Sequence, residues 1–460
     1  TEETMSKLQA YIDERKELNL QELVELLKIP SVSTDPELAG EVGNCARRMG
    51  ELMSEAGLET EIFETDGHPI VYGERLEAPG APTVLVYGHY DVQPSDPDDE
   101  WESPPFEPTE RDGYLFARGA TDDKGQFYAL IKGIQASREV NGKLPCNVKV
   151  LCEGEEEVGS PNLDPFIRKE LDRLACDVVF ISDCSQFGID MPAITYGLKG
   201  LCYLEVFVRG PATDLHSGTF GGSVANPANV LTCLMAACQG PDGKIAIPGF
   251  YDDVRALEDW ERKMMAELPF DEEEFRKSVG AVKVFGEAGY TTLERKGARP
   301  TLDINGMVSG FTGEGAKTVL PATASCKFSM RLVPDQDPEK IATLVCDFLN
   351  EIAPDTVEVE VRPHHGASPV IVSRDGAAVK AAEKALETGF GRQPVFVREG
   401  GSIPVVNTFQ EALGAESLLI GLGLPDDNLH APNEHFRIKD YHRGAVTMAA
   451  FLEEYGHCGA

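Results

Sequence analysis

Five short segments of this 460-residue chain carry groups able to bind a metal ion and to work on a water molecule. Residues 83–87 (TVLVY) lead into Gly88-His89-Tyr90-Asp91, and 147–152 (NVKVLC) into Glu153-Gly154-Glu155-Glu156-Glu157. Residues 177–181 (DVVFI) lead to Ser182-Asp183, and 417–420, through Gly423-Leu424-Pro425-Asp426-Asp427, to His430. Asp122 stands before a helical pattern in the run 118–125 (RGATDDKG). Mixed imidazole and carboxylate groups without cysteine suit catalytic zinc, manganese or cobalt rather than structural zinc. Two imidazoles plus three carboxylates are too many for one open metal. They fit two ions, roughly 3.5–4 Å apart, that share a carboxylate and clamp a hydroxide. Asp91, two residues beyond His89, is placed to accept the ring's other N–H and orient it. A carboxylate next in sequence to a ligand can serve as general base.

Taken singly, each segment has a plainer explanation. A histidine after a strand is commonly structural, a run of glutamates is commonly a solvated loop, and Asp122-Asp123 before a helix is a favourable cap. The combination argues otherwise, because carboxylates gathered at one sheet edge repel one another unless a cation joins them.

The elements that must position these groups follow from hydrophobic pattern. The runs at 83–87, 147–152, 177–181 and 417–420 are short, apolar and rich in β-branched residues, with helical segments between them. They read as buried parallel strands of an α/β fold, whose carboxyl ends are where ligands bind. Phe127, Leu130, Ile131 and Ile134 share one face of the helix after Asp122, and Leu18, Leu20, Leu23, Leu26 and Leu27 mark an earlier one that ends before Pro30. The middle of the chain alternates strictly instead: Cys202-Leu204-Val206-Val208 against Tyr203-Glu205-Phe207-Arg209, Phe328-Met330-Leu332 against Lys327-Ser329-Arg331, and Val357-Val359-Val361 against Glu358-Glu360-Arg362. Such strands form a sheet with one wet face. With helical patterns between them and a further strand near 301–308, the order is the βαββαβ of a ferredoxin-like α+β domain. The expected organisation is a catalytic α/β domain with a mostly parallel central sheet flanked by helices, made of 1–198 and 367–460. The α+β insert, 199–366, is a lid or dimerisation domain, and the acidic stretch 250–298 elaborates it.

The motifs GHYDV at 88–92, RGATDDKG at 118–125, EGEEEVGS at 153–160, ISD at 181–183 and NLHAPNE at 428–434 together resemble one group of enzymes. It is the carnosinase and cytosolic non-specific dipeptidase branch of the aminoacylase/carboxypeptidase-type di-metal peptidases, and the resemblance spans essentially the whole chain. It implies that His89 and Asp183 hold one metal, Glu157 and His430 the other, and Asp122 both. It makes Glu156 the general base and Asp91 the orienter of His89, and it implies a cis peptide after Asp122. Asp214-Leu215-His216-Ser217-Gly218 resembles the segment whose histidine crosses a dimer interface to polarise the scissile carbonyl. Arg331 looks like the residue that binds the substrate's terminal carboxylate, a task suited to paired charge-assisted hydrogen bonds. Thr318, Gly401 and Ser402 resemble further substrate contacts.

The resemblance thus implies hydrolysis of dipeptides with a free carboxyl end, two zinc or manganese ions per subunit, and a homodimer. Two alternatives stay open: an N-acyl- or N-carbamoyl-amino-acid hydrolase with the same metals, and a catalytically silent homologue acting as a binding module. Other patterns carry less. The run 310–318 (GFTGEGAKT) has Ala316 where a phosphate-binding loop needs lysine. His364-His365 is read as a hinge or loop, and His68, His435, His442 and His457 as surface or packing residues.

Composition bounds the partners. Asp and Glu number 77 against 42 Lys and Arg, a net charge of −35, which disfavours nucleic acid and anionic membranes. No apolar run reaches the roughly 20 residues of a membrane span. The polar, acidic start is unlike a secretory signal, and eleven cysteines without a CxxC pair favour a reducing compartment, the cytoplasm.

Overall fold

The computed structural model describes residues 2–459. The chain divides into two compact units. One runs to Tyr196 and takes in Val372–Val397 and the chain from Val405 onward; the other is Gly197–Ile371 with Arg398–Pro404. Strands β1 (Glu59–Phe63), β2 (Ile70–Arg75), β3 (Thr83–His89), β4 (Asn147–Glu153), β5 (Val178–Ser185) and β6 (Ala193–Leu198) come first. Next are β7 (Gly200–Arg209), β8 (Thr301–Ser309), β9 (Thr323–Leu332) and β10 (Glu358–Ala367), then β11 (Glu416–Gly423). The principal helices are α1 (Lys124–Asn141), α2 (Pro227–Cys238), α3 (Pro338–Ile352), α4 (Ala377–Phe390) and α5 (Ile438–Gly456).

The first unit is built on a mixed sheet in the order β1-β2-β4-β3-β5-β11-β6. Its four central strands, β4, β3, β5 and β11, run parallel, as their apolar runs predict. The flanks differ from a mostly parallel sheet: β1–β2, β2–β4 and β11–β6 are antiparallel. The reason is connection length. Only residues 64–69 join β1 to β2, and a parallel crossover needs about a dozen residues or more. Val84, Val86, Val148, Val150 and Phe180 from the strands are buried with Phe127, Ile131 and Ile134 of α1, Leu386 of α4 and Phe451 of α5. Parallel strands therefore deliver the ends of β3, β4, β5 and β11 to one edge of the sheet.

The second unit has the order β8-β9-β7-β10, antiparallel throughout, and the chain order β7-α2-β8-β9-α3-β10 is ferredoxin-like. Alternation does what the sequence predicts: Leu204, Val206, Val208, Phe328, Met330 and Leu332 face Leu231 and Leu234 of α2 and Ile341, Val345 and Leu349 of α3. Two features of this unit lie beyond the alternation pattern. The acidic stretch folds into the short helices Asp259–Glu267, Glu272–Ser278 and Thr292–Ala298, and Arg398–Pro404 returns to the unit from a distant part of the chain. Among the described residues no helix is long and apolar enough to cross a membrane, and no cysteines are paired.

Candidate metal centre

His89 closes β3 and is fully buried. The glycine before it admits no side chain, since a Cβ on Gly88 would lie 2.3 Å from the Phe127 ring. Asp122 lies in the loop before α1, and the bond from Asp122 to Asp123 is cis, as the resemblance implies. Gly125 in the first turn of α1 lets that loop fold back: a Cβ there would lie 1.8 Å from the Ala120 carbonyl oxygen. Glu156 and Glu157 sit on the turn Glu156–Val158 that follows β4. Asp183 lies within β5 rather than beyond it, because the strand continues to Ser185. His430 occupies the loop between β11 and the short strand His435–Arg437, and like Asn428 and Asn433 it has a positive φ.

Asp122 is the centre of the cluster. Its Oδ1 lies 3.2 Å from His89 Nε2, and its Oδ2 lies 2.9 Å from His430 Nε2. Asp183 Oδ2 is 3.9 Å from His89 Nε2, and Glu157 Oε2 is 3.4 Å from His430 Nε2. Potential ligand atoms of His89, Asp122 and Asp183 lie within 4.8 Å of one another, as do those of Asp122, Glu157 and His430. His89, Glu156 and Glu157 form a third such group. The residues fit a cation. His89 Nε2 and Glu157 Oε1 are buried yet have no hydrogen-bond partner, which is costly for a protein unless something else satisfies them.

The electrostatics agree. Burial, then Asp123 and Asp122, push the Asp183 carboxyl well above the usual range. Glu156 is pushed up to about 7 by burial, with Glu157, Asp122 and Asp91 adding to it against the opposing pull of His89. Burial alone would raise Asp122 too, but the hydrogen bond with His430 and the His89 imidazole beside it hold it well below. His430 is raised to about 10 by hydrogen bonding to Asp122 and Glu157. Carboxylates so crowded are short of positive charge.

Asp91 does more than face His89. His89 Nδ1 lies 3.0 Å from the Asp91 backbone oxygen and 3.3 Å from Oδ1. The Asp91 carboxylate accepts the backbone N–H groups of Glu156 at 3.2 Å and Glu157 at 3.1 Å, and the Ser33 hydroxyl at 2.7 Å. Glu157 in turn accepts from Gln93 Nε2 at 2.8 Å. The residue that sequence reading passed over is Glu434, which ends the NLHAPNE motif. Fully buried, it accepts Arg118 Nη1 at 2.8 Å and the backbone N–H groups of Gly119 at 2.9 Å, Thr121 at 3.0 Å and Asp122 at 3.0 Å. Its motif was visible; its partners, mostly backbone groups, leave no mark in side-chain types.

The remaining candidates fall in the second unit. His216 ends the short strand Leu215–His216, which pairs with Val319–Leu320, and the Ser217 N–H donates to Thr318 O at 3.1 Å. His216 and Thr318 are therefore neighbours. The Gly218 N–H donates to His216 Nδ1 at 3.0 Å, so in the neutral ring the proton sits on Nε2. Arg331 stands on β9 opposite the buried Phe328, Met330 and Leu332, and its Nη1 donates to Ser402 Oγ at 3.1 Å. Gly401 precedes Ser402 in the same segment. His364 and His365 are not a hinge or loop: they lie in β10 where its register with β7 shifts, His365 stacking on Tyr203 and His364 Nε2 3.2 Å from Glu205.

An α/β sheet whose parallel strands end in a cluster of imidazoles and carboxylates, with a ferredoxin-like second unit, is the build of a metal-dependent hydrolase. Comparison with known proteins narrows this. Peptidase family M20/M25/M40 matches residues 85–454, and the chain belongs to that family. It is 35% identical to the Cys-Gly metallodipeptidase dug1 of Schizosaccharomyces pombe, over 98% of each protein. It is 33% identical to the Beta-Ala-His dipeptidase of Homo sapiens, over 98% of this chain and 92% of that one. Among solved structures, the di-peptidase Dug1p from Saccharomyces cerevisiae superposes with a TM-score of 0.85 at 33% identity, covering 98% of both chains. Human carnosine dipeptidase 1 gives the same TM-score, 0.85, covering 98% of this chain and 99% of that one.

Proposed function

We propose that the chain is a dipeptidase that hydrolyses short peptides with a free carboxyl end, using two divalent ions, zinc or manganese. The observation that carries this reading is Asp122, which offers one carboxylate oxygen to the His89 side and the other to the His430 side. His89 and Asp183 would hold one ion, Glu157 and His430 the other, and Asp122 both. Bound there, the ions would supply an activated water and a positive field for charge that develops on the peptide carbonyl oxygen. Glu156 takes the proton of the attacking water and passes it to the leaving amine. Asp91 keeps the Glu156–Glu157 turn in register with His89.

His216 donates its Nε2 proton to the carbonyl oxygen of the scissile bond in the partner subunit's site. That assignment is supported by the Gly218 N–H on Nδ1, which leaves Nε2 as the donor. Arg331 holds the terminal carboxylate of the substrate, and Ser402, Gly401 and Thr318 make further contacts with the substrate. A homodimer is supported by β8, an edge strand of its sheet on which Ile304, Met307 and Val308 are exposed. Mostly buried thiols, with no disulfide among the described residues, support a reducing, cytoplasmic setting.

The test is a panel of substrates offered to protein loaded with zinc or manganese: Cys-Gly, β-Ala-His, simple α-dipeptides, and N-acetyl and N-carbamoyl amino acids. Hydrolysis of dipeptides in preference to the acylated amino acids is expected. The reverse preference would replace this reading with that of a deacylase, and no turnover with two ions bound would leave a binding module.

A further inference from the structure

The acidic elaboration of the second unit takes no part in the proposed chemistry, yet it holds a deeply buried ion pair. Glu261, on the helix Asp259–Glu267, receives a hydrogen bond from Arg398 Nη2, and the side chains are 2% and 1% exposed. A pair so buried has a large desolvation cost, so stability alone is a poor explanation for it. Its position offers a better one. Arg398 opens the segment Arg398–Pro404, which belongs to the second unit although the chain on either side belongs to the first. That segment carries Gly401 and Ser402.

Three further ties converge on it from the same unit. Gly297, on the helix Thr292–Ala298, lies flat against the Arg398 backbone, where a Cβ would be 2.6 Å from the Arg398 carbonyl oxygen. Ser402 Oγ donates to the Lys199 carbonyl oxygen, and Arg331 Nη1 donates to Ser402 Oγ at 3.1 Å. A continuous line of contacts thus runs from Glu261 through Arg398 and its segment to Ser402 and the Arg331 guanidinium.

We infer that Glu261 is a positioning residue for substrate recognition: its ion pair with Arg398 sets the Gly401-Ser402 loop, and through Ser402 it aims Arg331 at the substrate's terminal carboxylate. The inference rests on the reading above, in which Arg331 holds that carboxylate and Ser402 is a further substrate contact. A fork of donors loses affinity when displaced by a fraction of an ångström, whereas the chemistry at the metal-side residues has its own supports. The effect therefore belongs in substrate binding.

The experiment measures KM and kcat for Cys-Gly with the metal-loaded full chain. Glu261→Gln is expected to raise KM about tenfold while kcat stays within about twofold, and Glu261→Asp, which keeps the charge, to recover most of the loss. Gly297→Ala displaces the Arg398 backbone without touching the ion pair's charges. It should give the same signature, and it decides the matter if Glu261→Gln does not fold. Unchanged KM in the folded variants, or a fall in kcat with KM unaltered, would overturn the inference. Arg331→Lys tests the reading beneath it. If that variant raises KM and the other two do not, only the positioning role falls; if it leaves KM unchanged, the carboxylate grip itself is wrong.

Discussion

Glu434 accepts the backbone N–H of Asp122 at 3.0 Å, so the carboxylate between the two imidazoles is hung from a second, buried carboxylate. Both Glu434 oxygens are saturated: Oε1 by Thr121 and Asp122, Oε2 by Arg118 and Gly119. Glu434→Gln keeps the shape but turns one end into a donor, which must face an N–H at either position. Metal affinity should fall roughly 10–100-fold, as for other residues that support ligands, and the melting temperature should drop. Glu434→Ala, which leaves Arg118 buried without its partner, should cost about 3–5 kcal/mol. Metal titration with denaturant unfolding checks both, and an unchanged metal affinity in Glu434→Gln would remove the supporting role.

Glu156 is assigned the proton transfers, and its neighbour Glu157 a ligand's place. The two can be separated. Glu156→Gln should keep both metal ions and lose about 10²–10⁴-fold in kcat, the range typical of general acid–base catalysis. Glu157→Gln should lose metal first. Elemental analysis beside steady-state kinetics distinguishes them, and near-normal turnover by Glu156→Gln would reassign the base.

The centre was legible in the sequence because of how parallel strands work. The cores of β3, β4, β5 and β11 are largely apolar, so the cluster of polar residues at each carboxyl end stands out, and parallel pairing brings those ends to one edge. Alternation in β7 and β9 revealed the second sheet for the same reason, since one face is buried and the other is not. What stayed hidden acts through the backbone or through distant chain segments. Glu434 and the Asp91 carboxylate bind main-chain N–H groups, which every residue has. The return of Arg398–Pro404 rests on an ion pair with Glu261, 137 positions away, and on contacts with Lys199, Gly297 and Arg331, and no local pattern announces it.

The edge strand β8 bears on oligomeric state. Ile304, Met307 and Val308 are 49%, 46% and 66% exposed on it, and an exposed apolar edge strand is a ready surface for pairing with another chain. If a second copy covers it, Ile304→Glu with Val308→Asp should yield a folded monomer. Because His216 is assigned to the partner's site, kcat should fall together with dimer content, by 10²-fold or more on the order of a lost oxyanion donor. Light scattering and activity on the same samples test this; a fully active monomer would remove the cross-subunit role.

His442 supplies a test of stability that is independent of the metal-side residues. It lies on α5, and burial lowers its pKa to about 4 from the ordinary 6.5, with Lys16 pushing the same way and Asp13 opposing. Between those values the unfolded chain binds a proton that the folded chain refuses, so stability rises with pH across the window. The neutral ring's contribution is complete above pH 6.5 and is lost as pH falls toward 4. The loss should reach up to about 2 kcal/mol near pH 5, at about 1.4 kcal/mol per unit. His442→Gln carries no proton to refuse. Its melting temperature should therefore fall less steeply than the parent's between about pH 6.5 and 4.5, whatever its value at neutral pH. Parallel acid-side slopes for the two proteins would show that the buried imidazole does not titrate in this window, and that its burial is balanced by contacts that survive protonation.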